Sequence, residues 1–398
     1  MKRLVMLIVL LLASSVAWAQ SEGPVEIGVI TSLTGRFAEF GEQHQAGFAV
    51  ALEDINAAGG INGREVVLNI QDDTSEVSVA LTAAQQLIDA GVPLVMGAYS
   101  SSITNPLAQF FTRSERPFLV YTSSADNITM PGSEWVFRLN QPANAYSQVL
   151  FDLFDYLNEQ GADIEKIAVI AGNGNFEQAV ATAAEEQAAD RGYEIVANES
   201  YDRGVTDFRP VLNRFRSQEP DVVFMVSYAE DSVAIMRQAN EVGLDADLFA
   251  GAAAGFALPG FITDAGPAAE YVVTATAWTE DVVYEGAAEL FERLTEELGG
   301  VEPSYHAAQA YAGLITAVDA LSRAESFSPE DVQAALEATN IEETPYGPIR
   351  FEDFDGYQNQ NPILMVAQQV QDGQFVTVFP GEELAENLIF PTPAWSER

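Results

Sequence analysis

The chain has no cysteine, only two histidines and, apart from Lys2, a single lysine, Lys166. The missing thiols exclude a disulfide framework, thiolate metal sites, cysteine nucleophiles and a lipid anchor carried on an N-terminal cysteine. His44 and His306 lie far apart in sequence, so a histidine-based metal site or a Ser-His-Asp triad would have to use one of them alone. No H-E-x-x-H, G-x-S-x-G or phosphate-loop pattern is present. Basic residues are scarce too: 18 stand against 59 acidic ones, a net charge of -41 that repels a nucleic-acid backbone. After the N-terminus no apolar run approaches the roughly 18 residues needed to cross a bilayer. Catalysis has little to stand on, and no catalytic residue, metal or cofactor is expected.

What is present is a large capacity for burial. The 398 residues are 48% apolar and include 29 glycines, enough for two or three lobes in spite of the charge. The acidity lies on surface helices such as 285–297; it fits a saline habitat, where salt screens it, and equally an acidic proteome. Met1-Lys2-Arg3, the apolar run 4–12 and Ala17-Trp18-Ala19 before Gln20 form the pattern of a secretory signal, with cleavage expected after Ala19. With no cysteine to carry a lipid, the mature chain is expected to diffuse freely in the periplasm.

From Pro24 onward short β-rich runs alternate with helical patterns. Residues 25–30 read as a strand, and Phe48, Leu52 and Ile55 then recur at helical spacing. A strand at 66–70, a helix carrying Val77, Ala80, Leu81, Ala84, Leu87 and Ile88 on one face, and strands at 92–96 and 118–121 follow. After Pro142 the same grammar restarts: helix 145–158, strand 166–170, helix 176–190, strand 194–197, helix 208–216, strand 221–226, a helix through Met236 and a strand at Leu248-Phe249. A strand at 271–276, helices at 287–298 and 305–321, and strands at 363–370 and 375–379 precede an irregular tail, 381–398. Successive βα units dictate a parallel sheet covered on both faces, so the expected class is α/β, with two Rossmann-like doubly wound lobes.

Two segments stand out chemically. Gly97-Ala98-Tyr99-Ser100-Ser101-Ser102 lies between a strand and a helix expected to begin near Ile103, and Thr122-Ser123-Ser124-Ala125-Asp126 repeats the arrangement after the next strand. Hydroxyls and free N–H groups at a helix N-terminus bind a carboxylate without basic side chains, and open sheets bind ligands beyond the carboxyl ends of their strands. Asp72-Asp73, followed by Thr74-Ser75 and a helix near Glu76, read as helix capping rather than acid–base chemistry. Gly172-Asn173-Gly174 lacks the third glycine of a dinucleotide loop.

Several stretches together resemble a known family: 28–35 (GVITSLTG), Phe40-Gly41, 54–63 (DINAAGGING), Gln71-Asp72-Asp73, the triple serine with Asn105-Pro106, and Arg237-Gln238-Ala239 with Gly243-Leu244, over about 25–379. The sequence resembles type I periplasmic solute-binding proteins of the Leu/Ile/Val-binding family, the receptors of branched-chain amino-acid ABC importers. The resemblance implies lobes at 25–141 plus 274–358 and at 142–273 plus 359–380, joined by three crossovers and closing like a hinge on a small ligand. It also implies an inner-membrane ABC permease as partner, action as a monomer, and no enzymatic activity.

Residue by residue, the resemblance assigns Ser101, Ser123 and the backbone of Ala125 to the ligand carboxylate, with Tyr99, Ser100 and Ser124 beside them. Phe40 corresponds to an aromatic wall at the mouth, and Phe176 and Tyr228 to aromatics of the second lobe. Ala253 stands where the family's amino-acid binders place the Glu that holds the ligand ammonium. A buried ammonium without a carboxylate is costly, so either Glu230 or Asp231 substitutes or the ligand has no α-ammonium. His306, next to Tyr305, falls near the side-chain pocket, as a packed helix residue or as a donor to a polar ligand; His44 is expected on the surface. The implied function is capture of an amino acid or other small carboxylate for delivery to the permease. The alternative is a ligand-sensing receptor domain of the same fold for an amide or aromatic acid.

Overall fold

The computed structural model describes residues 23–398, and the expected signal peptide lies outside them. Strands β1 (Val25–Thr31), β2 (Val66–Asp72), β3 (Val95–Gly97), β4 (Phe118–Val120) and β5 (Val136–Arg138) build the first sheet, and β6 (Lys166–Gly172), β7 (Glu194–Tyr201), β8 (Val222–Val226), β9 (Leu248–Gly251) and β10 (Val273–Thr276) the second. A small hairpin, β11 (Asn340–Ile341) with β12 (Ile349–Arg350), precedes β13 (Glu352–Phe354) and β14 (Tyr357–Gln360), which complete the first sheet, and β15 (Val366–Gln371) and β16 (Gln374–Phe379), which complete the second. The sheets run β2-β1-β3-β4-β5-β14-β13 and β7-β6-β8-β9-β10-β15-β16, so both lobes use one doubly wound order with two late strands added at one edge.

The pattern that produces this is visible along β6 and β8. Ile167, Val169 and Ala171 enter one core while Ala168 and Ile170 enter another, and Val222, Phe224 and Val226 alternate with Val223 and Met225 in the same way. A continuous apolar run in a period-2 strand has two buried faces, as a parallel sheet covered by helices requires. In the first lobe, helix Ala38–Ala57 packs on helix Tyr305–Arg323, and a Cβ at Gly47 would run into the carbonyl of Ala307, so only glycine admits this approach.

The chain crosses between lobes three times. Strand pairing puts β10, to Thr276, in the second sheet and β14, to Gln360, in the first, so the second and third crossings follow these strands rather than residues 273 and 358. Side-chain amides tie the crossings together: Gln141 Nε2 donates to the carbonyl of Asn361 (2.9 Å) and Gln360 Nε2 to that of Asn140 (2.6 Å). Other expectations shift as well. Strands β5 and β11–β14 and helix Pro329–Glu337 carry too few periodic apolar residues to show in the sequence. The tail, expected to be irregular, carries a short helix, Glu382–Ala385, and a 3-10 turn, Trp395–Glu397, and it is docked: Trp395 Nε1 donates to the carbonyl of Leu244 (2.8 Å) and the Arg398 guanidinium lies 3.7 Å from the Trp395 ring centre. No helix among the described residues is long and apolar enough to cross a membrane.

Candidate functional site

The carboxyl ends of the two sheets face each other across a cleft that is closed. Arg36 of the first lobe pairs with Asp231 of the second at 2.5 Å, with only 16% and 11% of their side chains exposed. The Ser102 hydroxyl accepts from the amide of Asn175 (3.2 Å), and Glu39 accepts from the amide of Gly260. Tyr228 stands 4.8 Å from Phe37 and 6.0 Å from Tyr99, centre to centre, and its hydroxyl is hydrogen-bonded to Ser100. Asp231 is pushed above its ordinary pKa by burial, which outweighs the opposing pull of Arg36. Because hydrogen bonds to charged groups contribute about 1.5–3 kcal/mol, Arg36→Ala should favour the open form. A larger radius of gyration of the ligand-free protein by small-angle scattering is the expected result; an unchanged one would show that the aromatic contacts alone hold the lobes.

Inside the closed cleft lies a cavity of about 20 Å³, lined by Tyr99, Ser101, Ser124, Phe176, Tyr228 and His306 among others. The loop after β3 and the helix Ser101–Arg113 place the serines. This helix starts two residues earlier than the sequence implied, so Ser100 is its N-cap, and Ile103 and Thr104 both donate to the Ser100 carbonyl. The Ser101 Oγ then accepts from the amides of Ser124 (3.3 Å) and Ala125 (3.2 Å), two consecutive N–H groups converging on one oxygen. Such a pair is the geometry that receives a carboxylate oxygen. Ser124 Oγ is tied to Tyr146 and Asn140, and Asn140 also reaches the carbonyl of Thr122, which fixes this loop.

Not every expected residue faces the cavity. Ser123 is at its edge, but its hydroxyl is spent on the carbonyls of Ala98 (2.7 Å) and Tyr99 (2.6 Å) and on Thr104, so it shapes the loop. Phe40 is fully buried behind the wall, stacked on Tyr99 at 4.0 Å. Ser100 faces the adjoining chamber, and Ala254 rather than Ala253 lines the cavity. Thr122 and Tyr305 also line it; the sequence singled out neither for contact, since nothing local marks a side chain that meets the other lobe only in three dimensions.

The histidines and acids depart from expectation further. His44 is not on the surface; it is fully buried, and the two imidazole rings lie 6.0 Å apart because the helices that carry them pack together. His306 is buried too, its Nδ1 3.2 Å from the Thr122 hydroxyl, and burial holds its pKa well below the ordinary value, so it sits neutral beside the cavity. Asp72 and Asp73 do not cap the helix Val77–Ala90, whose N-cap is Glu76. Asp72 Oδ1 accepts from the amides of Leu33 (2.9 Å) and Thr74 (2.8 Å), and Asp73 Oδ1 from the Ser32 hydroxyl (2.6 Å), so the pair staples the loop after β1. Glu230 is exposed and lines neither space between the lobes, and Asp231 is engaged by Arg36, so neither is placed to replace the absent Glu at Ala253.

Comparison with known proteins agrees with this architecture. Residues 24–374 match the model of a family described as periplasmic binding protein. A Leu/Ile/Val-binding protein homolog of Brucella melitensis is 28% identical over 98% of this chain and 99% of its own length. Among solved structures, a leucine-binding protein of Thermotoga maritima superposes with a TM-score of 0.78 at 22% identity, over 89% of this chain and 97% of that one. A solute-binding protein from R. palustris in complex with benzoate superposes with a TM-score of 0.77 at 15% identity, over 89% and 96%. With the family's model spanning nearly all of the described residues, two lobes of one winding and a cleft between their strand ends, the chain belongs to the periplasmic binding protein family.

Proposed function

We propose that this protein is the substrate-binding component of an ABC importer, exported by its signal sequence, acting as a monomer in the periplasm and handing a small carboxylate-bearing solute to an inner-membrane permease. The observation that carries the reading is the pair of amides, Ser124 and Ala125, converging on the Ser101 oxygen inside a closed aromatic cleft. Leucine and benzoate, named with two of the solved relatives, share a carboxylate on an apolar body, the chemistry that two N–H donors and an aromatic wall accommodate. No covalent step is involved; affinity arises from closure, which desolvates the carboxylate between fixed dipoles.

A cavity of about 20 Å³ has room for about one water, so a leucine-sized solute enters only with the lobes apart or the aromatic side chains turned. Binding is therefore coupled to opening and re-closure. In a thermal-shift and calorimetric screen of amino acids and small carboxylic acids, Ser101→Ala should weaken the ligand by about 1–3 kcal/mol through loss of the hydroxyl's bond to the charged group. Unchanged affinity would remove the carboxylate from this end of the cleft.

A further inference from the structure

Beside the aromatic cavity lies a larger chamber of about 270 Å³, also between the lobes, lined by Arg36, Ser100, Ser102, Glu177, Tyr201 and Asp231 among others. Its charged groups are not equivalent. Arg36 and Asp231 hold each other, and Tyr201 reaches Asp231 at 3.3 Å, while Glu76 and Arg203 sit exposed at the rim. Glu177 is 3% exposed, and its Oε2 has no hydrogen-bond partner among the described residues. An unpaired buried carboxylate oxygen is costly to the fold, so a group of this kind facing a chamber calls for a donor from outside the chain.

The backbone is shaped around this carboxyl. A Cβ at Gly172 would lie 2.7 Å from Oε1, and one at Gly174 would collide with Oε2. The Gly172-Asn173-Gly174 turn, which in the sequence looks like a fragment of a nucleotide loop, is thus the opening that admits Glu177. The preceding residue, Phe176, walls the aromatic cavity, and Tyr228 lines both spaces, so the two adjoin, with the Glu177 carboxyl on the chamber side. Burial pushes its pKa up to about 7, opposed by its own backbone amide and by Arg36 and reinforced by Asp231.

We infer that Glu177 is the carboxylate that receives a positively charged nitrogen of the ligand, so that the cleft selects a solute bearing an ammonium as well as a carboxylate. Resting on the reading of the cleft as the binding site, this assigns to Glu177 the task that Ala253 cannot perform and for which Asp231 is not free. Arg36 does not oppose it strongly, because its charge is already met by Asp231 at 2.5 Å.

The test is isothermal calorimetry of the mature protein with the proteinogenic amino acids and with deaminated counterparts such as 4-methylpentanoate and 3-phenylpropanoate, together with benzoate. At pH 8 an amino acid should bind at least tenfold more tightly than its deaminated counterpart. Glu177→Gln should erase most of that ratio while leaving the acid's own affinity within a few-fold. In the wild type the amino acid's affinity should fall from pH 8 to pH 6 as the carboxyl gains a proton, with Arg36, Asp231, Tyr201 and Tyr228 facing it in both states; in Glu177→Gln it should not. Binding of acids only, of no amino acid, or a ratio unmoved by Glu177→Gln overturns the inference. Ser101→Ala separates the two readings: if it weakens acids while Glu177→Gln changes no ratio, the cleft stands and Glu177 falls. If neither variant alters any affinity, both fall.

Discussion

Acidification from pH 6.5 to 3 will cost the folded protein about 5 kcal/mol through His44 alone, at about 1.4 kcal/mol per pKa unit for a side chain whose pKa burial pushes down to about 3. The imidazole is fully buried, with Nδ1 2.8 Å from the Thr31 hydroxyl and 3.1 Å from that of Tyr121, while Nε2 has no partner among the described residues. Its surroundings are aromatic: Tyr121 at 5.0 Å, Tyr99 at 5.8 Å and the neutral His306 at 6.0 Å, none of which can balance a new positive charge. The unfolded chain accepts a proton near pH 6.5 that the folded chain refuses until about pH 3. Stability is therefore complete above the unfolded pKa and is lost as pH falls below it. His306, shifted in the same direction, adds to the loss.

A competing group determines where the loss becomes visible. Glu177, raised from 4.5 to about 7, keeps a proton in the folded state that the unfolded state releases, so acidification from pH 7 to 4.5 returns about 3 kcal/mol. Buried Asp73 and Asp231 and the partly buried Glu39 shift in that sense as well. The histidine and carboxyl contributions thus oppose one another down to about pH 4, the ordinary range of the carboxyls, and below it the loss from the histidines is joined by that of Asp72, which its hydrogen bonds hold below the usual carboxylate range. Urea unfolding at several pH values for the wild type and His44→Asn isolates the effect. The variant's acid limb should be shallower by about 1.4 kcal/mol per pH unit, one proton's worth. Parallel limbs would mean that His44 is protonated in the native protein.

This pair of histidines also marks the limit of what the sequence discloses. The βα grammar was legible because strands such as β6 and β8 are apolar on both faces, and the serine clusters were legible because strand ends and helix starts are local signals. The meeting of His44 with His306 depends on two helices more than 240 residues apart that approach at Gly47, where no periodicity gives warning. Arg36 and Asp231 carry no local mark of their pairing either. Strands β13 and β14 are short and polar, Glu352–Phe354 and Tyr357–Gln360, so nothing but their edge position on the first sheet makes them strands. Glu177 was the most nearly readable of the residues passed over: a glycine pair at 172 and 174 followed by an acid within one helical turn signals a side chain folding back over its own turn.

Replacing Arg138 by glutamine should weaken a carboxylate ligand about 30-fold while changing stability far less than the loss of a buried charge usually does. Arg138 ends β5, is fully buried and has no carboxylate within ion-pair distance among the described residues. Its Nε donates to Gln360 Oε1 (2.5 Å) and its Nη1 to the carbonyl of Ala125 (2.8 Å), while Nη2 has no partner. Burial depresses its pKa from 12.5 to about 10, which corresponds to roughly 3 kcal/mol against keeping the charge in the folded state. Two hydrogen bonds from a charged donor contribute about 1.5–3 kcal/mol each, about 3–6 kcal/mol together, so the burial penalty offsets half or more of them and little net stability is left to explain the residue. Its position does. The guanidinium grips the carbonyl of the residue whose amide, with that of Ser124, forms the proposed anion site, so a carboxylate held there would sit about one peptide unit from the charge. At ~7 Å and an effective dielectric of ~20, the attraction is about 2 kcal/mol, or roughly 30-fold in affinity. Arg138→Lys retains the charge and should retain most of the binding, and an uncharged amide analogue of the ligand should not distinguish the three proteins. Full carboxylate affinity in Arg138→Gln, with its melting temperature lowered by many degrees, would make the residue a structural tie between β5 and β14 and leave the anion site to its amides.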